Sequence, residues 1–173
     1  MTATASARAT SARAALAEVR DPEIPSARIL EMGMIHDVRD EDGEIVVELV
    51  PTFSGCPAVT VIETEVRQAL FAAGFARSRV VLRADIPWST DRITSTGRRE
   101  IAEHGLVPPQ RGRLRVEEIA CPRCRLQQVT LVSRFGPTPC RALARCRSCG
   151  EPLELFKPIG SAGSPPRADR QGR

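Results

Sequence analysis

The sequence has no tyrosine, one tryptophan and only two histidines, and aromatic residues make up 3% of its 173 positions. So few flat rings argue against a nucleic-acid platform built on base stacking. His36 and His104 are isolated from any plausible nucleophile in sequence, which leaves histidine acid–base chemistry little to work with. Both read as structural or surface residues: His36 on a strand, His104 in the last turn of a helix, where a cation is favourable. No run approaches the ~20 apolar residues of a membrane-spanning helix. There is no phosphate-cradling glycine motif of the P-loop or Rossmann kind, and no internal repeat.

What is present is a globular composition, 42% hydrophobic and 27% charged, at a length that suits one domain or a small domain with an appended module. Six cysteines without a secretory signal favour a reducing compartment, and the expected location is the cytoplasm. Five of the six lie between Cys121 and Cys149, as Cys121-Pro122-Arg123-Cys124, then Cys140, then Cys146-Arg147-Ser148-Cys149-Gly150. A two-residue spacer lets both sulfurs of a pair face the same ion, so two such pairs can hold one metal tetrahedrally. Twenty-one residues separate Cys124 from Cys146, enough for one hairpin. Two disulfides are a weaker rival, because a disulfide within Cys-x-x-Cys is usually redox-active. Cys121, Cys124, Cys146 and Cys149 are therefore the expected ligands. A closed four-thiolate site has no open position for substrate water and reads as structural. Zinc is favoured over iron because it needs no redox partner. Cys140 is the odd thiol, either a buried strand cysteine or an alternative ligand.

The formal charge of +4 conceals an asymmetry. Residues 21–110 carry nine Arg against fifteen acidic residues, a balance of −6, whereas residues 111–149 carry nine Arg against two Glu, a balance of +7. Basic charge of this kind can bind nucleic acid or dock an acidic protein.

In chain order, Met1–Arg20 has a single acid, Glu18, and its composition resembles an organelle transit peptide; Ser11–Arg20 also reads as an ordinary first helix, the preferred reading, with Ala12, Leu16 and Val19 roughly on one face. Asp21-Pro22-Glu23-Ile24-Pro25 ends it. Ser26 is expected to cap a short helix through Met32, terminated at Gly33. Met34–Val38 and Glu44–Val50 form a hairpin about Asp42-Gly43. Pro51–Cys56 is a loop, and Pro57 takes the first position of a helix reaching Ala73. Arg79–Ile86 is a third strand and Ser95–His104 a last helix, with Pro108-Pro109 closing the unit. The fold class is α+β: a small α-β-β-α-β-α domain over residues 12–109, then a short metal-stapled β ribbon over 113–159. The ribbon strands are Val129–Phe135, Cys140–Arg145 and Leu153–Lys157, and residues 160–173 read as a disordered tail.

Four stretches, Asp21-Pro22-Glu23-Ile24-Pro25, Ser54-Gly55-Cys56-Pro57, Pro87-Trp88 and Gly105-Leu106-Val107-Pro108-Pro109, occur in an order that resembles the small metal–sulfur cluster assembly domain of SufT type. From Phe135-Gly136-Pro137-Thr138-Pro139-Cys140 through Cys149 to Phe156-Lys157 the chain resembles the D-subunit family of the phenylacetyl-CoA epoxidase (ring 1,2-epoxidase) system. Together these cover roughly residues 12–159; Arg145 stands where the resemblance implies an aromatic residue. The resemblance implies a non-catalytic accessory or maturation protein in aerobic phenylacetate breakdown, working beside a di-iron oxygenase and an iron–sulfur reductase. It also weights Cys56 towards handling iron or a cluster, against the reading of a buried, inert cysteine. A cysteine ahead of a helix N-terminus is expected to have a lowered pKa. Trp88 is either part of that site or core. Two other classes remain, a nucleic-acid-binding zinc ribbon and a cysteine-dependent enzyme, the latter without a recognisable base for Cys56. A homodimer is left open.

Overall fold

The computed structural model describes residues 7–53 and 55–160. The expected tail beyond Gly160, and the first six residues of the transit-like segment, lie outside the described residues. Helix α1 (Ala7–Ala15) packs Ala9 and Ala12 inward, and the chain then turns through Leu16 to a short strand. The helix thus sits earlier than Ser11–Arg20: Leu16 and Val19 are buried as expected, but from a turn that ends in strand β1 (Arg20–Asp21).

Strand β2 (Ile24–Arg28) replaces the short helix expected after Ser26. The cause is local. Asp21 Oδ1 accepts hydrogen bonds from the Glu23 and Ile24 amides at 2.7 and 3.2 Å, and Pro22 presets the turn between them. This closes an antiparallel β1–β2 hairpin, Asp21 opposite Ile24, and a turn at Leu30–Gly33 follows, with Gly33 at φ +64°.

Strands β3 (Ile35–Glu41) and β4 (Glu44–Leu49) pair antiparallel. Asp42 and Gly43 between them both take positive φ, as a two-residue hairpin of this type requires. Helix α2 (Val59–Ala72) buries Ile62, Val66 and Leu70 and leads to β5 (Ser78–Leu82), parallel to β4. The fifth strand stops short of Ile86, and α2 begins two residues after Pro57, with Ala58 as its cap. On one face of β4, Ile45, Val47 and Leu49 enter the core. On the other, Val46 and Glu48 are buried beside Arg39 of β3, Arg79 of β5 and Arg83 just beyond β5. Glu48 accepts from Arg39 at 2.9 Å and Arg83 at 2.8 Å.

Helix α3 (Ser95–Glu103) is capped by Thr94, whose hydroxyl accepts from the Gly97 amide at 3.0 Å. Its Glu100 holds Arg28 of β2. Next comes β6 (Leu106–Val107), which the sequence places in the first domain but which pairs with the second sheet. That sheet runs β6-β9-β8-β7, from β7 (Val129–Ser133), β8 (Arg141–Cys146) and β9 (Pro152–Phe156). The two halves are therefore one packed body. Phe156 is fully buried in the first core, 6.3 Å from the Trp88 ring, and the Thr90 amide donates to the Ile159 carbonyl at 2.9 Å.

Candidate metal centre

The two Cys-x-x-Cys segments adopt the same knuckle. In the first, the Cys121 amide donates to the Leu126 carbonyl at 3.0 Å and the Arg125 amide to the Cys121 carbonyl at 2.8 Å. In the second, Cys146 donates to Glu151 at 2.9 Å and Gly150 to Cys146 at 3.0 Å. The residue after each second cysteine has positive φ, +64° at Arg125 and +76° at Gly150. Glycine adopts this freely; arginine does so at a cost of about 1 kcal/mol. Its conformation is enforced by the hydrogen bonds that form the loop.

The result is four sulfurs, all within 4.8 Å of one another. Across the knuckles, Cys121 Sγ lies 3.7 Å from Cys149 Sγ and Cys124 Sγ 3.6 Å from Cys146 Sγ. A tetrahedron with zinc–sulfur bonds of ~2.3 Å has sulfur–sulfur edges of about 3.8 Å, close to the two distances across the knuckles, so the set suits a tetrahedral zinc. Cys121 and Cys146 are buried while Cys149 reaches the surface. The Cys149 and Ser148 amides donate to Cys146 and, against desolvation, bring its thiol down to about 7. At Cys149 the Glu151 amide favours the thiolate, but desolvation and the sulfurs of Cys124, Cys146 and Cys121 outweigh it and push the thiol up to about 12. Four thiols this close cannot all ionise alone. A divalent cation removes that conflict, and the tetra-cysteine cluster suits a structural zinc. Arg145, in place of an aromatic residue, donates to the Gly150 carbonyl at 3.1 Å and braces the second knuckle.

Cys140 is not among these sulfurs. It precedes β8, at the other end of the strand from Cys146, and there it lines a small cavity with Cys56. Cys56 comes from the loop before α2 and is half-buried. Burial pushes its thiol up and outweighs the Ala58 amide, which favours the thiolate; the lowered value expected ahead of a helix is not found. The cause is enclosure: Thr138, Cys140 and Phe156 of the ribbon line the same cavity and desolvate the sulfur. Trp88 is core, its indole donating to the Met32 carbonyl at 3.0 Å. His36 Nδ1 faces an Arg92 guanidinium at 3.0 Å, and His104 caps the end of α3; neither joins the cysteines. The sequence reading missed Asp21, which the β1–β2 hairpin carries to the same cavity. The signal was its place before Pro22, which marks a turn and hence a carboxylate held by backbone amides.

Comparison with known proteins places these features in context. Residues 107–157 match a family described as PaaD zinc beta ribbon domain, and residues 10–77 one described as Iron-sulfur cluster assembly protein. The chain is 40% identical over 149 residues to the D subunit of the "Putative 1,2-phenylacetyl-CoA epoxidase" of Escherichia coli strain K12, covering 84% of this chain and 90% of that one. It is 33% identical over 82 residues to the Fe-S protein maturation auxiliary factor YitW of Bacillus subtilis strain 168, covering 46% of this chain and 79% of that protein. Among solved structures, a domain of unknown function, DUF59, from Bacillus anthracis aligns with a TM-score of 0.50 at 26% identity, over 54% of this chain and 91% of that domain.

Proposed function

We propose, on the premise that this chain belongs to the D-subunit family of the phenylacetyl-CoA epoxidase system, that it supplies iron or iron–sulfur centres to the other components of that system. Its accessory, maturation-type character follows from the union of an iron–sulfur assembly domain with a PaaD-type zinc ribbon in one chain. The observation that carries the finer reading is the separation of two kinds of thiol. Four ribbon sulfurs form a closed set suited to a permanent structural metal, whereas Cys56, in the half that matches the assembly family, lies outside it and is free to hold cargo. Metal as cargo needs an exchangeable ligand; metal as staple needs a closed one.

The partners in this reading are the di-iron oxygenase and the iron–sulfur reductase of the system, met in the cytoplasm. No helix among the described residues is long and apolar enough to cross a membrane. The ribbon offers a docking face. The Phe135 ring is 79% exposed, with the Lys157 amine 5.6 Å from its centre. Arg113, Arg134 and Lys157 border a trough of about 550 Å³ beside it. An exposed ring rimmed by cations fits an acidic protein surface, which would be steered on more slowly at high salt. A protein partner is favoured over nucleic acid because Phe135 is the one aromatic residue between Arg111 and Arg147, too few for base stacking. The test is to recover the tagged chain from cells growing on phenylacetate. Oxygenase or reductase components should accompany it, less so at high salt. Tight binding to random DNA at physiological salt, with no oxygenase component recovered, would overturn the reading.

A further inference from the structure

The junction between the two halves holds a cavity of about 20 Å³, lined by Asp21, Cys56, Thr138, Cys140 and Phe156 among others. Its parts come from four separated places in the chain. The β1–β2 hairpin presents Asp21, the loop before α2 presents Cys56, the turn before β8 presents Cys140, and β9 contributes Phe156 as a wall. Strong contacts fix this arrangement. Arg141, next to Cys140, donates to the Glu23 carbonyl of the hairpin and pairs with Glu154 at 2.9 Å. The Lys157 amide donates to the Cys140 carbonyl at 2.8 Å, and the Thr138 hydroxyl lies 3.1 Å from Cys140 Sγ. Gly136 permits the turn: its amide donates to the Arg141 carbonyl, and a Cβ there would meet Arg141 Cβ at 2.9 Å.

We propose that Cys56 and Cys140, with the Asp21 carboxylate, form a second metal site at this junction, which takes one ferrous ion as exchangeable cargo. The inference rests on the reading of Cys56 as a cargo thiol and adds the ribbon's own thiol to it. Size decides between an ion and a cluster. A cavity of this volume admits about one water-sized guest. A cluster of two irons and two sulfides does not fit. Donor type decides the class of ion: two thiolates and one carboxylate suit iron or zinc and disfavour magnesium and calcium. Donor number decides lability. Three protein ligands leave a position open, through which a receiving protein can enter, whereas the ribbon's four close theirs. Among the described residues only the ribbon sulfurs already lie within 4.8 Å of each other, so the three junction side chains must close on the ion as it binds. On binding, both thiols release their protons to solvent, and the +2 charge meets two thiolates and one carboxylate.

Electrostatics agree with this geometry. Burial pushes Asp21, Cys56 and Cys140 all upward, and Asp21 further raises both thiols. Three acidic groups share one small space, with Arg141 the cation that eases Asp21 and Cys140. A bound divalent ion supplies the missing charge. The ribbon metal orders β8, and the turn before β8 carries Cys140 to the cavity that Cys56 lines.

The test uses the full chain with its ribbon zinc in place, titrated without oxygen with Fe²⁺, or with Co²⁺ as an optical probe of thiolate ligation. The wild-type chain should bind one ion beyond the ribbon's. Cys140→Ser should weaken that ion at least ~10-fold, since even loss of a ligand's supporting partner costs this much. Ribbon zinc should be unchanged. Asp21→Asn should weaken it in the same direction. As a measurement that needs no variant, the added ion should protect Cys56 and Cys140 equally from alkylation. Absence of a second ion, or protection of Cys56 alone, would overturn the site. If Cys56→Ser abolishes binding while Cys140→Ser leaves it unchanged, Cys56 carries cargo unaided: the proposed function stands and this inference falls.

Discussion

Removing the ribbon metal should unfold the ribbon and also weaken the half of the chain that binds no metal there. Apart from its ligands, the ribbon core is Ile119, Val129, Leu153 and Leu155 with two alanines. At ~1.5–3 kcal/mol for each large side chain, that core contributes roughly 6–12 kcal/mol. A structural zinc contributes about 10–16 kcal/mol, as much as the apolar core or more. Without it the strands cannot offset their ordering entropy. The damage does not stop at Gln110, because Phe156 and Leu106 belong to the first core. Losing a buried phenylalanine costs ~3–5 kcal/mol, and a domain of this size loses roughly 4–8 °C of melting temperature per kcal/mol. Chelation, or Cys121→Ser, should therefore make residues 113–157 protease-sensitive and lower the melting temperature of the remainder by at least roughly 10 °C. Limited proteolysis with mass spectrometry and a thermal scan read both effects. A metal-free chain with a protease-resistant ribbon and an unshifted melt would refute the reasoning.

Two further outcomes follow from the first half. At Glu48 burial opposes the charge, but hydrogen bonds from Arg39 and Arg83 outweigh it and hold the carboxyl below its usual range. Its contribution is thus present above the unfolded value of about 4.3 and lost as pH falls through the lower folded value. Glu48→Gln should cost about 1–2 kcal/mol at pH 7, less than the ~3–5 kcal/mol of a fully buried pair because both arginines are partly exposed, and the two stability curves should converge in acid. A constant difference down to acid unfolding would contradict this. At Gly97, alanine would favour the helix by about 1 kcal/mol, but its Cβ would lie 2.5 Å from the Glu31 carbonyl oxygen. The clash wins, and Gly97→Ala should lower stability by about 1–3 kcal/mol in denaturant titration; a more stable variant would show that α3 is not seated on that turn.

What was legible in the sequence was what short-range chemistry dictates. The Cys-x-x-Cys spacing foretold two knuckles, since each closes through hydrogen bonds within six residues. The alternation of Ile45, Val47 and Leu49 marked a strand, and Asp42-Gly43 its hairpin. Illegible were the features set by distant partners. Ser26–Met32 has the composition of a short capped helix, yet pairing with β1 and the Arg28–Glu100 bond favour a strand. Leu106–Val107 looked like the end of the first domain because nothing nearby reveals their partner, β9. Cys56 and Cys140 are far apart in the chain, and only the docking of the ribbon brings them to one cavity.

The central claim, that this chain loads metal into its partners through Cys56, is tested most directly in the oxygenase and reductase themselves. Both should be purified from cells growing on phenylacetate that carry either the wild-type chain or Cys56→Ser, and their iron content compared. The variant should fold and keep its ribbon zinc, because Cys56 contributes no ligand there. At least one partner should nevertheless be short of iron, with slower growth on phenylacetate. Full iron occupancy in both partners, alongside a folded Cys56→Ser chain, would contradict the account.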